Sequence, residues 1–347
     1  MKKKFFFGLI LLLLIIGILS IDIVASTGGI VNWETIKAND VARVSSDWDT
    51  PKELPFTSDG WQEGEYISPD GNTFFFQYIN MDIFRFLYGK PGDVTITGPN
   101  RNDSKSCTFW INAQVPAHSC GTYVTFPWGS FPRADTFYSH KTANGGWTTP
   151  KPHPLTLAHP INGIVLTNNG TRAYFSMIFK DSNKSDIAYA DNINGVWGQP
   201  VRVDVVSSSY MEDDPYVNPR DTEMFFWSDR PTSVGGEHIY HSIKVNGRWQ
   251  KPEFMPPPIN SDKDDMQTFL FRDNTLYFSS SRDDGKMKIY KTQRNGSSWG
   301  SPELVVSSNF AVGEPSIPDD GSRLYFEQIF TDGKGHFTAD MMYADKK

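Results

Sequence analysis

Trp249-Gln-Lys-Pro252 is one of five places where a tryptophan is followed three residues later by a proline; the others are Trp48/Pro51, Trp147/Pro150, Trp197/Pro200 and Trp299/Pro302. Successive tryptophans stand 99, 50, 52 and 50 residues apart, which reads the first step as two periods. A period of this length carries its own strands and turns. It marks a solenoid, propeller or array, in which the repeat unit defines the fold.

The unit is clearest in its last copy. Glu314-Pro-Ser-Ile317 reads as a short strand, Pro318-Asp-Asp-Gly321 as a tight turn, Arg323-Leu-Tyr-Phe-Glu-Gln328 as a second strand and Asp340-Met-Met-Tyr343 as a third. Earlier copies keep the order: Ser68-Pro-Asp-Gly71 before Thr73-Phe-Phe-Phe-Gln77 and Asp82-Ile-Phe84, then Asn168-Asn-Gly170 before Arg172-Ala-Tyr-Phe-Ser176 and Asp186-Ile-Ala-Tyr189. The third strand then turns, as at Asn194-Gly195 or Asn246-Gly247, into the Trp-x-x-Pro strand, giving four strands per unit. Turn positions fall near 71, 170, 221, 274 and 321. Midway through the long first step, Cys120-Gly121 precedes Thr122-Tyr-Val-Thr-Phe126 and Asp135-Thr-Phe-Tyr138, which suggests a degenerate further unit. The expectation is an all-β, six-bladed β-propeller of four-stranded antiparallel blades; the alternative is five blades with an insertion of about 50 residues.

These residues resemble the WD40-like propeller repeat of the TolB type, often called PD40: the Ser-Pro-Asp-Gly turn, the Leu-Tyr-Phe strand, the Ser-Asp-Arg loop, the Asp-Ile-Tyr strand and the Trp-x-x-Pro strand. The resemblance runs from about Trp48 to Ala344 and implies a fold, not an activity, because such propellers serve as scaffolds, binding proteins and accessory domains of enzymes. The order of elements also predicts how the ring closes. The last unit ends after its third strand, while Trp48 stands alone ahead of the first unit, so the N-terminal segment supplies the missing outer strand of the last blade.

Composition suits this reading, with 14% aromatic residues, 28 Gly and 23 Pro. A net charge of −7 argues against a nucleic-acid backbone as partner. Met1-Lys-Lys-Lys4, an apolar run from Phe5 to Ile21 and the small residues of Val24-Ala-Ser26 read as a signal peptide or membrane anchor over residues 1–26, with a single propeller domain over 27–347. The propeller is therefore expected outside the cytoplasm, periplasmic or secreted, and membrane-attached only if that segment stays uncleaved. Cys107 and Cys120 lie 13 residues apart. A hairpin in this region would let them form a disulfide, whereas an extended strand over Ala113 to Ala117 would hold them apart.

Propeller geometry sorts polar residues onto two faces. The starts of the inner strands surround the upper mouth of the channel and carry Glu63, Glu65, Gln114, Asn162, Asp213, Asp214, Asp264, Asp265 and Glu314. Carboxylates converging from several units suit a basic or polyhydroxylated ligand, or acid–base chemistry; they equally suit capping of strand ends. Arg230 and Arg282, in Ser228-Asp-Arg230 and Ser280-Ser-Arg282, suit carboxylate or phosphate groups or structural pairing. No histidine motif supports a metal site, and no cofactor fingerprint is present. Gly296-Ser-Ser-Trp-Gly300 matches a nucleophile-elbow pattern but falls on the turn before a repeat tryptophan, where no strand-to-helix turn is expected. The functional expectation is a propeller that binds a protein, peptide or glycan on its top face. The alternative is a carbohydrate-active hydrolase or lyase using the same carboxylates.

Overall fold

The computed structural model describes residues 31–57, 61–79, 124–126, 129–131, 136–159, 161–179, 181–182, 184–232 and 236–347. A short helix, α1 (Trp33–Asn39), and two short strands, β1 (Arg43–Val44) and β2 (Lys52–Glu53), precede the repeats. Blade 1 comprises β3 (Trp61–Ile67) and β4 (Thr73–Ile79), then, beyond a hairpin of β5 (Val124–Phe126) and β6 (Gly129–Phe131), β7 (Thr136–His140) and β8 (Lys151–Pro152). Helix α2 (Pro154–Ala158) leads to blade 2: β9 (Asn162–Thr167), β10 (Arg172–Ile178), β11 (Ser185–Ile193), β12 (Val196–Trp197) and β13 (Val201–Arg202). Blade 3 holds β14 (Glu212–Val217), β15 (Glu223–Ser228), β16 (His238–Val245), β17 (Arg248–Trp249) and β18 (Glu253–Phe254). Blade 4 holds β19 (Asp265–Phe271), β20 (Thr275–Ser280), β21 (Lys288–Asn295), β22 (Ser298–Trp299) and β23 (Glu303–Ser307). Blade 5 holds β24 (Ala311–Ser316), β25 (Arg323–Thr331) and β26 (Phe337–Asp345).

The described residues thus form five blades, not six. Strand β7 pairs directly with β4, from Thr73↔His140 to Gln77↔Thr136, so Thr136–His140 is the third strand of blade 1 rather than part of a degenerate second unit. Inner strand β9 lies beside β3, and the sequence β3, β9, β14, β19, β24 returns to β3. The 99-residue step between tryptophans is therefore one blade carrying an insertion between its second and third strands. Such a loop needs only to bring its ends together, at an entropic cost that grows slowly with length. Asp82 to Phe84, Gln114, both cysteines and residues 1–26 lie outside the described residues.

Every second strand is apolar on both sides because each blade is sandwiched between two others. In Thr73-Phe-Phe-Phe-Gln77, Phe74 and Phe76 pack toward blade 5 beside Tyr325 and Met341, while Phe75 packs toward blade 2 beside Val165 and Phe175. The repeat tryptophans act between blades. Trp249 Nε1 donates to Tyr174 Oη of blade 2 at 3.1 Å, and Trp299 lies edge-on to Phe225 of blade 3. Cations stack on these rings: Lys244 lies 4.6 Å from the Trp249 centroid and Arg294 4.7 Å from that of Trp299.

Closure follows the order of elements. Lys52 and Glu53 pair with Tyr343 and Met342, making β2 the outer strand of blade 5, and β1 pairs with β23 of blade 4. The N-terminal strap is anchored at both ends. Lys37 of α1 forms an ion pair with the fully buried Asp340, and Trp48, 3% exposed, bridges to Lys346 and packs into the core between blades 4 and 5. Trp48→Ala is expected to cost about 3–5 kcal/mol in denaturant unfolding. Deleting residues 27–55 bares the edge of β26, so size-exclusion chromatography should show aggregation of the truncated chain.

Candidate functional site

Each inner strand breaks its register at the same place, and the residue at the break has a left-handed backbone: Gly64 (φ 69), Gly163 (φ 55), Asp214 (φ 45), Gln267 (φ 50) and Glu314 (φ 57). These five bulges face one another around the axis. Glycine adopts this conformation freely, whereas Asp214, Gln267 and Glu314 adopt it at a cost of about 1–3 kcal/mol each. A bulge re-aims side chains, and here it turns polar ones around the ring.

Hydrogen bonds run around the circle from blade to blade. Gln267 Nε2 donates to Glu314 Oε1 at 3.1 Å. The backbone amides of Gly64 and Glu65, in blade 1, donate to Glu314 Oε2. On the far side, Asn162 Nδ2 donates to Asp213 Oδ1 at 3.2 Å, joined there by the Ser176 hydroxyl and by the Asp214 amide at 2.9 Å. Two indoles point at the ring acids: Trp61 Nε1 donates to Glu63 Oε2 and Trp227 Nε1 to Asp214 Oδ2, both at 2.7 Å.

Of the acids picked out in the sequence, Glu63, Glu65, Asp213, Asp214 and Glu314 come together at the upper end of the channel. The others do not join them. Asp265 is fully buried, receives the Ser261 and Ser280 hydroxyls and is ion-paired with Arg282 at 2.8 Å. Arg282 also donates to the carbonyls of Pro258 and Ile259 and stacks on Phe278 and Tyr290. Arg230 repeats the device one blade earlier: it pairs with Glu212 at 3.0 Å, donates to the Val206 carbonyl and stacks on Tyr240. Both arginines fasten the start of an inner strand to its own blade. Asp264 caps the Glu237 amide at 3.1 Å, away from the ring. The pattern match at Gly296 to Gly300 lies on the β21–β22 hairpin, with no helix following.

Sequence reading missed Gln77, Gln267 and Glu327. Gln77 and Glu327 end the aromatic stretch of their second strands, where they stand opposite Glu63 and Gly313. A polar residue recurs in this column at Ser176 and Ser279, and that repetition was the available signal. Gln267 is visible only once the bulge is located.

The carboxylates lie in a poorly solvated space with few cations. Burial, reinforced by Glu314 and Asp213, holds Glu63 well above the usual carboxylate range; burial together with Glu314 and Glu327 does the same for Glu65. Burial and neighbouring acids likewise raise Asp214, which keeps some contact with solvent, and Glu327, which is fully buried. Asp213 is raised less, to about 6, because burial is opposed by its hydrogen bonds from Ser176, the Asp214 amide, Ser185 and Asn162. Among the described residues, Glu327 and the ionised form of Glu65 have no hydrogen-bond donor for either oxygen, and Glu63 lacks one for Oε1. Protonated Glu65 can instead donate to Glu314.

The bulge residues line a narrow space that runs down the channel to Tyr66 and Tyr216, and beneath it lies a wider lower funnel lined by Tyr66, Tyr216, Phe269 and Phe271. The funnel's two guanidinium groups are already engaged: Arg220 pairs with Asp273 at 2.7 Å, and Arg272 donates to the Asp319 backbone carbonyl. Asp70, at the same face, caps its own turn through Ser68 and Asn72.

A carboxyl group whose folded pKa is raised stabilises the fold below its unfolded pKa and loses that contribution as pH rises through the folded value. Glu327→Gln mimics the protonated acid. Its melting temperature should match the parent near pH 4 and exceed it by at least about 2 °C at pH 8, measured by scanning calorimetry across that range.

No protein-family model matches the chain, and no curated protein matches it. Solved structures do. A putative TolB from Agrobacterium tumefaciens is 14% identical, covering 79% of this chain and 71% of that one, with a TM-score of 0.42. A thermostable family-43 glycoside hydrolase is 11% identical over 83% and 90% of the two chains, with a TM-score of 0.46. The catalytic domain of the Coprinopsis cinerea GH62 α-L-arabinofuranosidase is 9% identical over 88% and 98%, also at 0.46. The likeness is one of fold.

Proposed function

We propose that this protein binds a glycan at the upper mouth of its channel, acting outside the cytoplasm as residues 1–26 lead one to expect. The observation that carries this reading is the ring of bulge-held side chains, where buried carboxyl and amide oxygens stand without donors. A polyhydroxylated ligand supplies donors to those oxygens and acceptors to the protonated acids beside them. Burying such groups without partners costs stability, which a bound ligand restores. The lower funnel is wider, but its two guanidinium groups already have partners.

Hydrolysis is a second reading, favoured by the spread of proton affinities. Asp213 is raised only to about 6, while burial and neighbouring acids push Glu63 and Asp214 well above the usual carboxylate range, so one chamber holds carboxyl groups that differ in proton affinity, as an acid and base pair requires. A glycan array, followed by titration of the strongest ligand, tests both readings. Asp214→Asn and Glu63→Gln should weaken binding at least about tenfold, and Asp70→Asn at the opposite face should leave it unchanged. Release of reducing ends by the parent, abolished in Asp213→Asn, would establish the hydrolase. Full binding by both upper-mouth variants would refute the site.

A further inference from the structure

The ring is not uniform. Blades 3, 4 and 5 place Asp214, Gln267 and Glu314 at the bulge, whereas blades 1 and 2 place Gly64 and Gly163 side by side and so leave a notch. A methyl group built on Gly64 would lie 3.6 Å from Gln77 Oε1 and 3.7 Å from Gly163 Cα; one built on Gly163 would lie 3.3 Å from Asp214 Oδ1. The notch is bounded by acceptors. Glu63 Oε1 and Gln77 Oε1, on cross-strand partners that are 2% and 8% exposed, have no donor among the described residues. The same holds for Asn162 Oδ1, whose amide orientation is fixed because Nδ2 donates to Asp213.

We propose that this notch receives a primary ammonium group, and that the glycan of the proposed function is accordingly an amino sugar. An ammonium carries three donors and no acceptor, matching Glu63 Oε1, Gln77 Oε1 and Asn162 Oδ1, and its positive charge favours ionisation of Glu63 and, from the open side, Asp214 as it binds. A hydroxyl would leave at least one of these oxygens without a donor. A metal ion fits less well, since no three acidic, histidine or cysteine side chains among the described residues are placed to hold one. A lysine side chain fits less well for another reason. Glu63, Gln77, Asn162, Ser176 and Asp213 give its methylene stem no apolar sleeve, whereas hydroxyls next to a ring-borne ammonium find polar partners there.

The inference rests on glycan binding at the upper mouth, and three probes separate the two claims. Calorimetric titration at pH 7 and physiological salt compares the β-1,4-linked glucosamine tetramer, its fully N-acetylated counterpart and tetralysine. The glucosamine tetramer should bind at least about tenfold more tightly than the N-acetylated one, and Glu63→Gln should remove that preference while the variant keeps its circular dichroism spectrum. Equal binding of the two sugars, or a preference that survives Glu63→Gln, overturns the ammonium site and leaves glycan binding standing. Tighter, Glu63-dependent binding of tetralysine overturns both the amino sugar and the glycan reading. Absence of binding by all three probes overturns the ammonium site, and the glycan array then decides the broader reading alone.

Discussion

Five inner strands must meet at one axis, and a left-handed bulge at the same position of each lets them do so. The bulge adds local twist and turns one residue per blade into the circle. Where that residue is glycine the conformation is unstrained. Where it is Gln267 or Glu314 the strain is offset by hydrogen bonds that cross to the neighbouring blade, and where it is Asp214 by the Trp227 indole of its own blade. The residues that hold the blades at the axis are thus the residues that give the mouth its chemistry, so site and fold share one set of contacts.

The periphery is built on different principles. Outer tryptophans, stacked cations and ion pairs such as Arg172–Asp221 and Arg294–Glu223 tie neighbouring blades together at partly buried positions. Single pairs of that kind contribute little, and their value lies in repetition around the ring. The strap from α1 to β2 is the one non-repeated element of closure. It engages blades 4 and 5 together and closes the ring non-covalently.

Most of the architecture was legible in the sequence because strand, turn and tryptophan recur at fixed spacing. The closing strand was legible from the order of elements alone. The blade count was not: Thr136–His140 has the composition of any third strand, and only its pairing with β4 assigns it to blade 1. The site was half legible. Charge at the inner-strand starts pointed to Glu63, Glu65, Asp213, Asp214 and Glu314, but composition could not distinguish them from Asp265, which Arg282, just beyond the adjacent strand of the same blade, neutralises. Gln77 and Glu327 stayed hidden because their relevance comes from cross-strand register, and the notch because it consists of atoms that Gly64 and Gly163 lack.

Function is proposed to reside in the bulge ring at the upper mouth of the five-bladed propeller. A crystal structure of the chain with the strongest glycan from an array tests it most directly. Sugar density is expected over Gly64 and Gly163, within hydrogen-bonding distance of Glu63 and Asp214. Density in the lower funnel beside Tyr66 and Tyr216, or on an outer blade edge with the ring unoccupied, would contradict it.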